Sequence, residues 1–278
     1  MTESTLDMVF LHSDPILIEV DFKDQVTKRW RKELVDFNEP LETEQEFDGI
    51  TGALKKTKKQ FTVRREVATY DNLKSVMACH PKVIHISCHG DCFVDEKVNT
   101  LVYFLAFEQS ERFCVLDQLT EARLKELLGG DADHGVMLVF VSACHSEMIG
   151  QLFKRVGVPV VIAVNSHSQI ADDVCRKFAR HFYEHLITGH PPLKAFNAGK
   201  NAVRASNIDV FSCCCAHKHK SWCLWNKYGE TQRKLPNFDK DDPHNRHMRN
   251  TLSETKCTCV QRSNIHSKNC AFLKNFRS

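Results

Sequence analysis

Residues 61–88 constrain the fold more than any other stretch of the chain. Positions 61–68 alternate in strand fashion, with Phe61, Val63 and Val67 apolar. Positions 70–79 carry Leu73, Val76 and Met77 at helical spacing, and Pro81 ends that run. Positions 83–88 follow as a nearly all-apolar strand. Strand, helix and strand in so short a span form a βαβ unit. Its two strands are parallel, and a parallel sheet has helices on both faces, which is why its strands read as continuous apolar runs. The fold class expected is therefore α/β with a mainly parallel sheet.

The pattern continues downstream. Residues 136–141 and 158–164 read as further buried strands, and 120–128, 147–156 and 193–205 as helices. Between them, Ile170, Val174, Phe178, Phe182 and Leu186 recur every four residues, a core-facing stripe on one long helix. Residues 101–107 and 113–116 read as a hairpin around 108–112. In the first sixty residues, 6–11 and 16–22 look like strands joined by a turn at 12–15. There, 28–37 reads as a short helix, and 42–48 and 55–59 as charged, exposed loop. The organisation expected is a main domain at 61–206, a segment 1–60 that leads into or joins it, and a tail at 207–278.

Composition bounds the function classes. Of the 278 residues, 42% are hydrophobic and 26% charged, as in ordinary globular proteins. There is no run of 18 apolar residues, and Met1-Thr2-Glu3-Ser4 does not begin a basic-then-apolar leader. Neither a membrane span nor a secretory signal is expected, and the location expected is cytoplasmic. Thirteen cysteines in that setting point to reduced thiols, metal ligands or a nucleophile rather than a disulfide framework. The net charge of +3 is uneven: the tail holds 13 Lys/Arg against 6 Asp/Glu, or +7, leaving −4 for residues 1–206. A basic tail attracts acidic partners or nucleic acid, or is simply solvated; nucleic acid is the weakest of these readings.

The tail also gathers cysteine and histidine. Cys215, His219, Cys257 and Cys259 make one tetrahedral zinc set among several, although the CxxC pair of a standard finger is missing. A structural zinc ion, a disordered Cys-rich tail, and lipidation or redox chemistry all stay open. Trp222 and Trp225 are expected to pack the start of the tail against the main domain.

Chemistry concentrates where two buried strands end. His89 leaves one, and Cys144 leaves another 55 residues later. Reactive groups in open α/β sheets sit at this carboxyl edge, and a thiol nucleophile needs a base beside it. Gly90 lets backbone approach closely, and the Gly90 and Cys144 N–H groups suit an oxyanion. The helix dipole starting near residue 147 favours thiolate, whereas Glu147 opposes it. Asp91, Asp172 and Asp173 are candidates to line a pocket for a basic substrate residue; helix capping accounts for Asp172 or Asp173 equally well. His85 and Cys88 read as strand packing, and His145 as pointing away from the thiol. A strand-end cysteine is also, commonly, just a small buried hydrophobe.

The segments HISCHGD (85–91) and VFVSACHSEMIG (139–150) resemble the two catalytic motifs of the CHAT-domain peptidases, relatives of the caspases, separases and gingipains. Residues 67–90 and 158–205 resemble that family's strand–helix–strand entry and its closing strand and two helices. The resemblance implies a three-layer α/β/α caspase-like sandwich, with His89 as general base and Cys144 as nucleophile. It further implies hydrolysis of a protein or peptide substrate through an acyl-enzyme, with no metal or organic cofactor in the chemistry. Many members carry the domain after helical-repeat or nucleotide-binding regions, which this sequence does not show. An activating or recruiting protein partner, or the tail, is then expected to supply targeting. The alternative from another class is a catalytically silent interaction module in a signalling assembly; the presence of both His89 and Cys144 favours the enzyme.

Overall fold

The computed structural model describes residues 7–24, 29–37, 39–56, 60–95, 97–129, 135–166, 170–206 and 222–226. Its strands are β1 (Met8–His12), β2 (Leu17–Lys23), β3 (Trp30–Asp36), β4 (Val63–Val67), β5 (Val83–Ser87), β6 (Gly90–Asp95), β7 (Thr100–Glu108), β8 (Leu116–Thr120), β9 (Leu138–Ser142), β10 (Val160–Val164) and β11 (Trp222–Asn226). The helices are α1 (Thr43–Lys55), α2 (Tyr70–Ala78), α3 (Glu121–Leu128), α4 (Glu147–Arg155), α5 (Asp172–Ile187) and α6 (Pro192–Ala205).

Six strands form the central sheet in the order β11–β10–β9–β5–β1–β4, all parallel except β11, which runs antiparallel to β10. Side chains alternate across it. Val9, Leu11, Ile84, Ile86, Val139 and Val141 pack on one face with Leu73 and Val76 of α2, Leu124 of α3 and Leu152 of α4. Met8, Phe10, Leu138 and Phe140 pack on the other with Ile50 of α1, Phe178 and Phe182 of α5, and Phe196 of α6. Covered on both faces, β9 and β10 are buried along their whole length, which is what their unbroken apolar sequences require. The α5 stripe lies where its period placed it from Val174 to Leu186, whereas Ile170 precedes the helix and is only partly buried. Trp222 of β11 stacks on Phe178 with ring centroids 4.2 Å apart. The start of the tail thus packs on the main body, as an edge strand of its sheet.

Helix starts follow from local chemistry. Thr69 and Thr120 each accept a hydrogen bond from the backbone N–H three residues on, capping α2 and α3.

Three local expectations differ from the structure, and one further sheet was not anticipated. Residues 30–36 form strand β3 rather than a helix, because β2 pairs with them from Leu17↔Asp36 to Lys23↔Trp30 and Lys32 bridges across to Glu19. The acidic 42–48 stretch is the start of α1, since Ile50, Ala53 and Leu54 bury one face and hold the charged turn before them. The hairpin's second strand begins at Leu116 rather than at 113 and runs to Thr120. Finally β6, directly after His89, pairs antiparallel with β7 to build a separate three-stranded sheet.

Candidate active site

Register brings the site together. His12 of β1 pairs with Ser87 of β5, and Ser87 pairs with Ser142 of β9. Beyond the strands the ladder holds for another residue, with Ser13 N–H donating to the Ser87 carbonyl and Cys88 N–H to the Ser142 carbonyl. One residue further on, the ends of these three strands present Asp14, His89 and Cys144 in a row. Neighbouring strands lie about 4.8 Å apart, so this alignment sets three reactive side chains along one sheet edge. It is also where the topology reverses: α1, which follows β1, and α3, which precedes β9, cover opposite faces.

Gly90 shows how tightly the two loops meet. A Cβ on Gly90 would lie 1.9 Å from the Cys144 carbonyl oxygen and 3.3 Å from the Ala143 Cβ. The glycine therefore makes room for the backbone of Cys144 itself. The close approach expected of it toward a substrate is spent on the thiol's own turn. That turn is bent sharply, with His145 at φ 54°, a left-handed conformation rarely adopted by a non-glycine residue.

The His89 ring is oriented by groups the sequence did not single out. Nε2 lies 2.9 Å from the Glu39 carbonyl oxygen and 3.6 Å from Asp14 Oδ1. A carbonyl oxygen only accepts, so Nε2 carries the proton and Nδ1 keeps the basic lone pair. Phe37 meets the ring edge-on. Asp14 Oδ2 accepts from Leu41 N–H, whereas Asp14 Oδ1 is buried and takes no hydrogen bond of its own, leaving it to face the imidazole. Burial raises the Asp14 carboxyl above the usual aspartate value, with the Leu41 N–H and the His89 charge opposing that rise.

Cys144 Sγ is held by one peptide group, accepting from Ile170 N–H at 3.3 Å and facing the Ile170 carbonyl at 3.6 Å. No hydrogen bond joins Cys144 to His89 among the described contacts. Burial pushes the Cys144 thiol above the ordinary cysteine range; the hydrogen bond from Ile170 opposes the shift and the Asp91 charge adds to it. Burial is thus the largest of the influences on the thiol, and it favours the protonated form. Glu147 does not face the thiol: its Oε2 accepts from the Ser166 N–H and Oγ, tying α4 to the loop after β10. His145 turns the same way, its Nδ1 against the Ser166 carbonyl.

The other predicted positions separate. Asp91, on β6, lies close enough to act on the thiol's charge. Asp172 instead pairs with Arg176 at 3.1 Å and accepts from Glu42 N–H, which joins the first turns of α5 and α1. Asp173 shares that first turn, and the residue capping α5 is Ala171. Cys88 is fully enclosed and its thiol is pushed far up by burial, as befits a packing residue. His85 is buried too, but within a polar cluster rather than as plain packing. Cys215, His219, Cys257 and Cys259 lie outside the described residues, and among the described ones no three His, Cys, Asp or Glu gather as metal ligands. No helix among the described residues is long and apolar enough to cross a membrane.

The CHAT-domain family model matches residues 22–247. The chain belongs to the CHAT-domain family. CHAT domains are related to caspase-like peptidases. No curated protein matches the chain. Among solved structures, pyridoxal kinase from Staphylococcus aureus aligns in its ADP complex with a TM-score of 0.31 and 10% identity, and in its AMP-PCP and pyridoxal complex with 0.30 and 9%. Each alignment covers 80% of this chain and 99% of the kinase, but similarity so low carries no argument.

Proposed function

We propose that this CHAT-domain chain is a caspase-like cysteine endopeptidase with an α/β/α sandwich architecture, in which Cys144 is the nucleophile and His89 the base. The observation that carries the reading is the alignment of Asp14, His89 and Cys144 past the ends of three adjacent parallel strands. Because burial keeps the resting thiol protonated, the reaction begins by proton transfer rather than from a standing thiolate. His89 Nδ1 takes the Sγ proton as the sulfur bonds to the scissile carbonyl carbon. The resulting imidazolium is stabilised by Asp14 and the Glu39 carbonyl. Collapse breaks the C–N bond, and the proton on Nδ1 passes to the leaving amine. Water, deprotonated by His89, then cleaves the thioester, releasing the acid and restoring the thiol. The Gly90 and Cys144 N–H groups are the proposed oxyanion donors. Asp91, acting on Cys144 from β6, favours a basic residue before the cleaved bond.

Replacing Cys144 with Ala should abolish labelling by a thiol-directed peptide inhibitor; unchanged labelling refutes the assignment. The second reading, a catalytically silent docking module, draws on the missing His89–Cys144 hydrogen bond. A peptide-library cleavage assay separates the two: turnover lost in the Cys144→Ala chain supports the enzyme, and none in the wild type supports the module.

A further inference from the structure

Directly beneath this edge lies a group the proposed chemistry does not use. Glu46 of α1 is only 2% exposed, at the sheet face covered by α1 and α5. Its Oε2 accepts from Ser87 Oγ at 2.5 Å and its Oε1 from Ser142 Oγ at 2.9 Å. His85 Nε2 approaches Oε1 at 3.2 Å, while His85 Nδ1 lies 3.2 Å from the Tyr183 hydroxyl. The His85 ring, wholly buried, is stacked between Phe10 and Phe140 at 4.9 and 4.7 Å.

Burying a carboxylate costs several kcal/mol, and an apolar cluster of equal volume is often as stable or more so. A buried carboxylate in a sheet this apolar therefore calls for a reason beyond stability. Its two serine donors supply one. Ser87 and Ser142 are register partners, each the last residue of its strand and each two residues before a member of the dyad. Burial of the apolar runs excludes a one-residue slip of β5 against β9, but a two-residue slip keeps every side chain on its face, whereas two hydroxyls meeting one carboxylate are satisfied in a single alignment.

We propose that Glu46 is the positioning residue of the dyad: by binding one hydroxyl from β5 and one from β9, it fixes the alignment that sets His89 beside Cys144. The proposal rests on the dyad reading above. Burial on its own would raise the Glu46 carboxyl, yet the nearby His85 ring and the hydrogen bonds from Ser87 and Ser142 outweigh it and leave it below the ordinary glutamate value. The group is thus held as an acceptor at working pH, the state that two serine donors need.

The test is a double-mutant cycle on the full chain, read as the iodoacetamide alkylation rate of Cys144 by mass spectrometry, beside thermal melting. In the wild-type background His89→Ala should slow alkylation roughly tenfold or more, because the base is lost. In the Glu46→Gln background, where the carboxamide offers one acceptor to two hydroxyls, His89→Ala should have no further effect. A His89 effect of undiminished size in a Glu46→Gln chain that melts normally overturns the role of Glu46 alone. No His89 effect in the wild type overturns the dyad and this proposal with it. Should Glu46→Gln not fold, Ser87→Ala and Ser142→Ala each remove one donor while keeping the Glu46–His85 pair, and the same cycle on them decides. Loss of the His89 effect supports the role, and its persistence in both overturns it.

Discussion

Gly90→Ala perturbs the site through sterics alone, with no charge or hydrogen-bonding group changed. The added methyl would sit 1.9 Å from the Cys144 carbonyl oxygen, where ordinary contact begins near 3.4 Å, so the two loops must part by about 1.5 Å. The obstacle is backbone, so no side-chain rotation relieves it. Overpacking of this kind costs about 2–3 kcal/mol, which lowers the melting temperature of a chain this size by roughly 4–12 °C. The larger effect falls on chemistry, since a displacement of about 1 Å between reacting groups costs roughly a hundredfold in rate. Differential scanning fluorimetry and peptide turnover, on Gly90→Ala beside Gly52→Ala, give the comparison. Gly52 lies in α1 with nothing within 4 Å of its added Cβ, so that change should leave turnover intact and raise stability by about 0.5–1 kcal/mol. Wild-type melting and wild-type turnover in Gly90→Ala would refute the close packing of the two loops, and with it the register-built site.

Asp14→Asn keeps the Leu41 hydrogen bond but removes the charge facing His89 at 3.6 Å. Because both side chains are partly exposed, the lost attraction is about 1 kcal/mol, and kcat should fall roughly five- to tenfold with KM little changed; an unaltered kcat would assign orientation to the Glu39 carbonyl alone. Iodoacetamide should modify Cys144 in the folded chain while sparing Cys88 and Cys175, with a pH midpoint above the free-thiol value near 8.5, because burial favours the thiol. Peptide mapping after timed labelling from pH 6 to 10 reads both, and a rate already at its plateau at neutral pH contradicts the protonated resting state. Acid stability should report Glu46. A carboxyl held below its unfolded value stabilises fully above that value, and the contribution fades as pH falls below about 4. Urea melts of the wild type should therefore lose more stability between pH 5 and 3 than those of Glu46→Gln; equal losses rule out a lowered Glu46.

The central sheet was legible because burial on both faces forces long apolar runs, as in β5, β9 and β10. The places of His89 and Cys144 at the sheet edge were legible because each comes just after such a run. Asp14 and Glu46 were not. Asp14 follows β1 as His89 follows β5, but its meaning depends on β1 lying beside β5, a pairing that no local pattern encodes. Glu46 sits among Glu42, Glu44 and Asp48, and charge of that density reads as solvated surface. The signal available was the apolar spacing of Phe47, Ile50 and Leu54, which places residue 46 beside the buried stripe. Residues 30–36 failed for the same cause: the partner that makes them a strand is β2, not anything within the segment.

The order of the central sheet bears on where another copy of this chain could pair with it. Among the described residues, its two outer strands are the places where a second molecule could add a strand of its own. One is β11, which runs antiparallel to β10. The other is β4, five residues long, with Arg64, Arg65 and Glu66 at its centre, Arg64 paired to Glu66 and Arg65 to Glu44. An incoming strand would meet fixed charge along a short edge. The short, charged β4 thus has the features by which an edge discourages strand addition, and replacing Arg64 and Arg65 with valine should make this rim more prone to aggregation.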